Sequence, residues 1–431
     1  MKPINILSAT IIAVLLSACS ESKVDDAAQL GPDPELPEAQ RGLLPTLKIA
    51  DPAGWGDRRP VVPSGYKITA FATDLQIPRQ TLVLPNGDIL VAEGRGGHAP
   101  KLRPKDFIAG YFKSKGTTSV KSGDRLTLLR DGNNDGTYET RTVFAENLNA
   151  PYGLALIDDQ LYVANQDAVV QFDYQPGQTE ASGLPRQLTA LPSEINHHWT
   201  KAMTASPDGR LLYVGIGSNS NITENGIDVE ENRAMIWEID AKSGAHRAYA
   251  TGLRNPTALD ILPGTNQLWA VINERDELGP RLVPDYLTSV QDGAFYGWPY
   301  SYWGQHVDSR VKPPQPDMVA AAIAPDYGLG SHKAPLGLAF SAPTMGGKFT
   351  EGAFIGEHGS WNRSDPAGYD VVFVPFSNGK PAGDPVDFVT GFQSEDGKTF
   401  GRPVGVTVDP KGALIVADDL SNTIWRVTPT Q

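Results

Sequence analysis

The sequence predicts an all-β chain closed into a six-bladed propeller, on three observations. One hairpin unit recurs six times, no long helical periodicity is present from Tyr66 onward, and glycine and proline are abundant, at 44 and 35 of 431 residues. Each unit reads as a loop often carrying proline, a short strand, a polar turn and a second apolar strand. Pairs such as Asn-Gly and Asp-Gly between apolar runs are strong hairpin signals. The units occupy residues 77–93, 150–165, 195–217, 254–273, 334–357 and 401–418, with turns near 86, 158, 208, 265, 350 and 411, roughly 50 to 85 residues apart. Self-similarity at such intervals marks a repeat architecture, and radial repetition leaves only short, protected sheet edges. Each unit is therefore expected to be the inner half of a four-stranded blade. A two-domain all-β chain is the competitor, and the even recurrence argues against it.

Taken in order, the chain opens with Lys2, an apolar run at residues 6–16 and then Leu16-Ser-Ala-Cys19. A run of eleven residues is too short to span a bilayer, which takes about 20, and suits a signal peptide. Residues 1–18 are read as that signal and Cys19 as a lipidated N-terminus, because Leu-Ser-Ala-Cys resembles a bacterial lipobox. Ser20 rather than Asp after the cysteine implies, by the same resemblance, a Gram-negative outer membrane reached from the periplasmic side. Residues 19–60, rich in Pro, Ala, Asp and Glu, are expected to be a flexible tether, and 61–431 the propeller. Cys19 is the single cysteine, so no intramolecular disulfide forms. The net charge of −13 argues against nucleic acid as a partner, which requires basic surface.

The third unit differs from the rest by opening with two imidazoles, His197 and His198, followed by Lys201. In a propeller the loops entering the innermost strands meet at one end of the central channel. Arg79, Asn149, His197, His198, Arg254, Asn255, His332, Lys333 and Arg402 would then converge on one mouth. A basic cluster on an acidic body predicts an anionic ligand on the axis.

Three motifs carry a family resemblance over roughly residues 60–430: His-His-Trp-Thr-Lys at 197–201, Gly-Leu-Arg-Asn-Pro at 252–256, and Tyr-Gly-Trp-Pro at 296–299 after Asn-Glu-Arg-Asp at 273–276. In this order and spacing the chain resembles the glucose/sorbosone dehydrogenases that hold pyrroloquinoline quinone (PQQ), and most of all their membrane-associated L-sorbosone dehydrogenase-like branch. The resemblance implies oxidation of an aldose or aldehyde sugar, with electrons passed to a respiratory quinone or cytochrome. It places the catalytic base on His198, whose ordinary pKa near 6.5 suits proton abstraction. Arg254 would stabilise negative charge on the reacting quinone. Arg254, Asn255, Asn149 and Arg402 would contact the cofactor. A second family arginine falls on Val404 and a family acid on Ser218, so Lys201, Lys333 or Arg363 is expected to supply the missing charge. The resemblance also implies calcium, held by backbone carbonyls of Arg275 and Asp276.

Two further stretches bear on function. Asp-Gly-Asn-Asn-Asp-Gly at 131–136 has the start of a calcium loop, but Thr142 stands where the loop needs Glu, so a hairpin turn is the preferred reading. Trp199, Tyr296, Trp298, Tyr302 and Trp303 could form a sugar-stacking platform, with Trp298 assigned to packing. Two other functions stay open at this level: a calcium-dependent propeller lactonase or esterase, and a non-catalytic glycan- or protein-binding propeller.

Overall fold

The computed structural model describes residues 24–40, 47–97, 114–133 and 135–430. The expected signal peptide and Cys19 lie outside the described residues. Six antiparallel sheets are arranged as a six-bladed β-propeller, as the recurrence predicts. The inner strand pairs are Pro78–Val83 with Ile89–Glu93 in blade 1, Gly153–Ile157 with Gln160–Ala164 in blade 2, and Met203–Ala205 with Leu211–Ile216 in blade 3. Blades 4, 5 and 6 follow with Pro256–Ile261 and Leu268–Ile272, Pro335–Phe340 and Gly352–Glu357, and Pro403–Val408 and Leu414–Asp418. Every repeat found in the sequence is an inner hairpin.

Period-two alternation builds the ring. A strand sends successive side chains to opposite faces, so Leu90 and Ala92 of blade 1 pack on blade 2 through Leu161 and Val163. Their neighbours Ile89 and Val91 pack on blade 6 through Ile415 and Ala417. Equivalent apolar layers fill the other junctions between blades, the most aromatic being Phe354, Phe373, Phe388 and Trp425 between blades 5 and 6.

Blade 6 draws on both ends of the chain. Its outermost strand is Tyr66–Ala72, paired antiparallel with Thr423–Pro429 from Tyr66 opposite Pro429 to Ala72 opposite Ile424. The ring is thus fastened by hydrogen bonds between residues about 360 positions apart in the sequence.

Proline opens the inner strand of blades 1, 4, 5 and 6, where its missing N–H is not needed by a ladder. A register shift follows directly in each, between Pro78 and Thr81, Pro256 and Ala258, Pro335 and Gly337, and Pro403 and Val406. Such bulges re-aim the adjacent side chains, here at the end of the channel where the inner strands begin.

The tether expectation is corrected for the described part of 19–60. Leu30–Gly31 adds a fifth strand to blade 4, with Leu30 opposite Leu329, and Gln29 is fully buried. Asp51–Pro52 pairs with Lys398–Thr399, and Trp55 packs edge-on against Phe392 and Trp425. A few apolar anchors suffice to dock a segment whose overall composition is polar. Among the described residues no helix is long and apolar enough to cross a membrane.

Candidate functional site

The mouth of the channel has a floor. Tyr152 of blade 2, fully buried, donates its hydroxyl to the carbonyls of Thr257 and Leu336, both at 3.2 Å, and Gln80 of blade 1 donates to Leu336 at 2.9 Å. Trp199 lies edge-on over Tyr152, with ring centroids 5.7 Å apart. Further down the axis, the inner strands enclose a cavity of about 240 Å³ lined by Thr81, Met203, Asp260 and Thr407 among others.

His198 stands at this floor, partly exposed. Its Nδ1 lies 2.9 Å from the backbone carbonyl of Ser218 and 3.0 Å from the Ser218 hydroxyl. A carbonyl only accepts, so Nδ1 carries the proton and the neutral ring keeps its lone pair on Nε2. Nε2 has no partner among the described residues. Burial, then the Arg254 guanidinium and His197, hold this imidazole well below its usual pKa. Ser218 stands where the resemblance expects an acid, so no carboxylate at Nδ1 opposes that shift. The result is a neutral, oriented base.

The backbone around His198 is clamped from behind. Arg233 donates to the carbonyls of Gly217 at 2.8 Å, Pro192 at 2.8 Å and His198 at 3.0 Å. Lys201 is fully buried and donates to Asn196 Oδ1 and the Trp199 carbonyl, both at 3.0 Å. Burial and Arg233 push its pKa well down. This corrects the reading of Lys201 as a cofactor contact: it shapes the loop and does not reach the mouth. Gly217 permits the packing, since a Cβ there would sit 2.3 Å from Asn255 Oδ1 and 2.5 Å from His198 Cβ. Asn255 is buried with Oδ1 unpartnered.

Arg254 is at the site but largely committed to the protein. It donates Nε to Asn221 O, Nη1 to the carbonyls of Asn273 and Glu274, and Nη2 to Asn221 Oδ1. Four of a guanidinium's five N–H groups are thereby used, and Asp276 Oδ2 lies 3.6 Å from Nη2. Its contribution to the mouth is chiefly its charge, felt by His198.

Of the two expected calcium ligands, the Asp276 carbonyl is already engaged by the protein. The Asp276 carbonyl accepts from Arg310 Nη1 at 3.0 Å and Asn221 Nδ2 at 3.2 Å, which uses both of its lone pairs. The Arg275 side chain is fully buried and donates to the carbonyls of Pro299 and Ser301 and to Glu274 and Asp308. The Asp276 carboxylate accepts from Asn362 at 2.8 Å and lies 3.4 Å from His332 Nδ1.

The other half of the mouth comes from blades 1, 5 and 6. Asp419 accepts from Arg79 at 2.8 Å on one oxygen and from His358 Nε2 at 2.9 Å on the other. Arg79 also lies over the Trp199 ring at 5.2 Å, joining this half to the His198 loop. Arg402 donates Nε to the His358 carbonyl and Nη2 to that of Gly359, leaving Nη1 unpartnered among the described residues. Burial and Arg402 lower the His358 pKa to about 4. These guanidinium groups fit the carboxylates of an anionic ligand.

Several expected contacts lie elsewhere. Lys333 pairs with Glu357 at 3.2 Å, and Arg363, fully buried, pairs with Asp26 at 2.7 Å and Asp365 at 3.0 Å. Both are absorbed by the wall and the docked N-terminal segment, so neither supplies the charge absent at Val404. Asn149, exposed, donates to Asp167 at 2.6 Å and accepts from Gln166 at 2.7 Å, on the rim and away from His198's partners. Tyr296 and Trp303 are buried in the junction of blades 3 and 4 and offer no platform, while Trp298 packs as assigned and donates to Asn221 O at 3.1 Å. Trp199 and Tyr302 remain partly exposed. The 131–139 stretch is a turn between strands Arg125–Arg130 and Thr140–Ala145. Its carboxylates Asp131, Asp135 and Glu139 cluster, with Asp131 3.3 Å from Arg426.

Comparison with known proteins agrees with this architecture. An uncharacterized protein of Borreliella burgdorferi is 27% identical over 333 residues, 73% of this chain and 86% of its own. The aldose sugar dehydrogenase YliI of Escherichia coli is 27% identical over 167 residues, 35% of this chain and 42% of its own. The holo form of the pyranose dehydrogenase PQQ domain from Coprinopsis cinerea shares the fold at a TM-score of 0.68 and 21% identity, over 88% of this chain and 100% of that one. Residues 60–284 and 315–430 match the TrAA12-like family model, every blade being included and only a stretch of blade 4 passed over, and the chain belongs to that family.

Proposed function

We propose that the chain is a PQQ-dependent dehydrogenase of aldoses or aldehyde sugars. The observation that carries this is His198, an imidazole fixed by Ser218 so that an unprotonated Nε2 faces a channel mouth lined with guanidinium groups. The aldose and pyranose dehydrogenases to which the chain is similar support the substrate class and the cofactor. PQQ, when bound, would supply the quinone that takes up the two electrons of a hydride. Arg402, Arg79 and Asn255 would hold its anionic and carbonyl groups.

The chain's own residues perform the rest. His198 Nε2 accepts the proton of the sugar hydroxyl, and the imidazolium so formed keeps its Nδ1–H on the Ser218 carbonyl. Arg233 and Lys201 keep that loop from moving as the charge changes. Tyr152 and Gln80 close the floor, which limits water at the reacting centre. A metal-dependent lactonase would need carboxylates converging on the axis, whereas Asp276 and Asp419 are each engaged by cationic or amide groups.

We further propose that Cys19 anchors the protein to the outer membrane on its periplasmic side, with electrons passing to a respiratory quinone or cytochrome and sorbosone-like sugars among the substrates. The lipobox-like Leu16-Ser-Ala-Cys19 supports the anchor.

The test is to incubate the cofactor-free protein with PQQ, desalt it, and add a panel of aldoses and sorbosone with an artificial dye. Retained quinone absorbance with sugar-dependent dye reduction is expected. His198→Ala should cut turnover by about 10²- to 10⁴-fold while retaining the quinone. Acid release without an acceptor would refute the dehydrogenase reading.

A further inference from the structure

Residues 285–314 are the stretch of the propeller that the family model passes over, and they deliver a cation to the site. The Ser301–Tyr302 and His306–Val307 hairpin ends at Asp308, which is buried and binds Arg310 through two oxygens, Nε to Oδ1 at 2.9 Å and Nη2 to Oδ2 at 2.6 Å. Arg275 fixes the same carboxylate from the other side at 3.3 Å. So held, Arg310 places Nη1 3.0 Å from the Asp276 carbonyl. That oxygen is where the family resemblance sets calcium.

The neighbouring oxygens carry hydrogen bonds as well. The carbonyls of Asn273 and Glu274 accept from Arg254, and Asn221 donates Nδ2 to the Asp276 carbonyl while its Oδ1 accepts from the Asp276 N–H at 2.8 Å. Calcium requires six to eight oxygen ligands with free lone pairs. Here a guanidinium and an amide use both lone pairs of the Asp276 carbonyl, and a second guanidinium uses one on each of the Asn273 and Glu274 carbonyls. Arg310 commits three of its five N–H groups to Asp308 and Asp276, so it can still offer donors to an anion.

We propose that Arg310 is the resident cation of this site, standing at the Asp276 carbonyl in place of a divalent ion, so that the chain binds its anionic quinone without metal. This rests on the cofactor reading above. A guanidinium shares with calcium a positive charge aimed at quinone and carboxylate oxygens, and differs in being carried by the chain.

The full-length chain, stripped with EDTA, is titrated with PQQ in EDTA and again in millimolar calcium, and bound quinone is read by absorbance after desalting. The dissociation constants should agree within about twofold; calcium tightening binding tenfold or more overturns the proposal. PQQ binding under neither condition overturns the cofactor reading, and the proposal with it. Arg310→Ala should weaken binding about tenfold or more in EDTA and recover most of it in calcium, because the vacated carbonyl then admits the ion. A misfolded variant cannot show such a recovery, and Arg310→Ala binding as tightly as wild type in EDTA refutes the proposal. Arg310→Lys, which keeps the charge on a smaller head, should stay calcium-independent. A readout that needs no quinone is the melting temperature: calcium should raise that of cofactor-free Arg310→Ala and leave wild type unchanged.

Discussion

His198 and His358 are two imidazoles at one mouth with opposite attachments. His198 gives its Nδ1–H to a neutral carbonyl and hydroxyl, while His358 gives its Nε2–H to the Asp419 carboxylate. Because His198 sits well below its usual pKa, it stays neutral and competent as a base through neutral pH. The kcat/KM of the loaded enzyme should therefore be flat above pH ~6.5 and fall only on the acid side, as the base protonates. Ser218→Asp supplies a carboxylate that stabilises the imidazolium, and should move that acid limb upward by about one unit, measured as a pH–rate profile. For His358 the effect is on stability. Its folded pKa of about 4 lies below the unfolded value near 6.5, so the unfolded chain binds a proton that the folded chain refuses, and stability falls as the pH drops through this window. His358→Gln should remove that part of the loss, about 2 kcal/mol between pH 7 and pH 5, seen as a smaller change in the urea midpoint.

At this scale the sequence was informative about His198 and its loop, because a doubled imidazole at the start of one repeat breaks the pattern of the other five. It was uninformative about which cations are free. Lys201, Lys333, Arg363 and Arg402 read alike as basic residues near a mouth, and only partners distant in sequence separate them: Asp26 lies 337 residues from Arg363. His358 and Asp419 were legible in principle. Each is the residue just past the end of its repeat unit, the position that Ser218 and Glu274 hold in theirs, so reading the six units one residue further would have found them.

The inner hairpin is the element that determines the ring, and its contacts are backbone against backbone. A Cβ on Gly337 would come within 2.2 Å of the Val404 carbonyl and 2.9 Å of the Val406 N–H, on the inner strand of the next blade. Gly337→Ala should accordingly destabilise the protein by about 1–3 kcal/mol, the usual cost of overpacking, measured as a lowered urea midpoint with unchanged slope. These hairpins were legible because turn chemistry and alternation are local. The outer strands were not: Thr140–Ala145 and Arg186–Ala190 carry exposed and half-buried residues without clean alternation. The docked segment around Leu30 was missed for a related reason, since two ladder residues and one buried glutamine leave little mark on composition.

Over the whole molecule the two N-terminal pieces have different standing. Residues 24–40 add an edge strand and carry Asp26 to Arg281 and Arg363, but the ring closes without them. Residues 66–72 are part of the closure itself. A chain starting after residue 40 should keep its near-ultraviolet circular dichroism and a cooperative thermal transition, lowered by a few degrees. A chain starting after residue 73 exposes the Thr423–Pro429 edge and the apolar face under Phe71, and should lose the cooperative transition. Equal behaviour of the two truncations would show that the outer strand of blade 6 does not fasten the ring.

That closure also sets a clock. Arg79 leaves the ribosome 340 residues ahead of Asp419. A nascent chain halted before Asp419 carries five blades, the oriented His198 and half a mouth, but not the carboxylate on which Arg79 and His358 meet. The complete mouth comes into being only when the chain has been made past Asp419 and the first strand has found the final hairpin, so any ligand that spans it must be loaded into the closed ring.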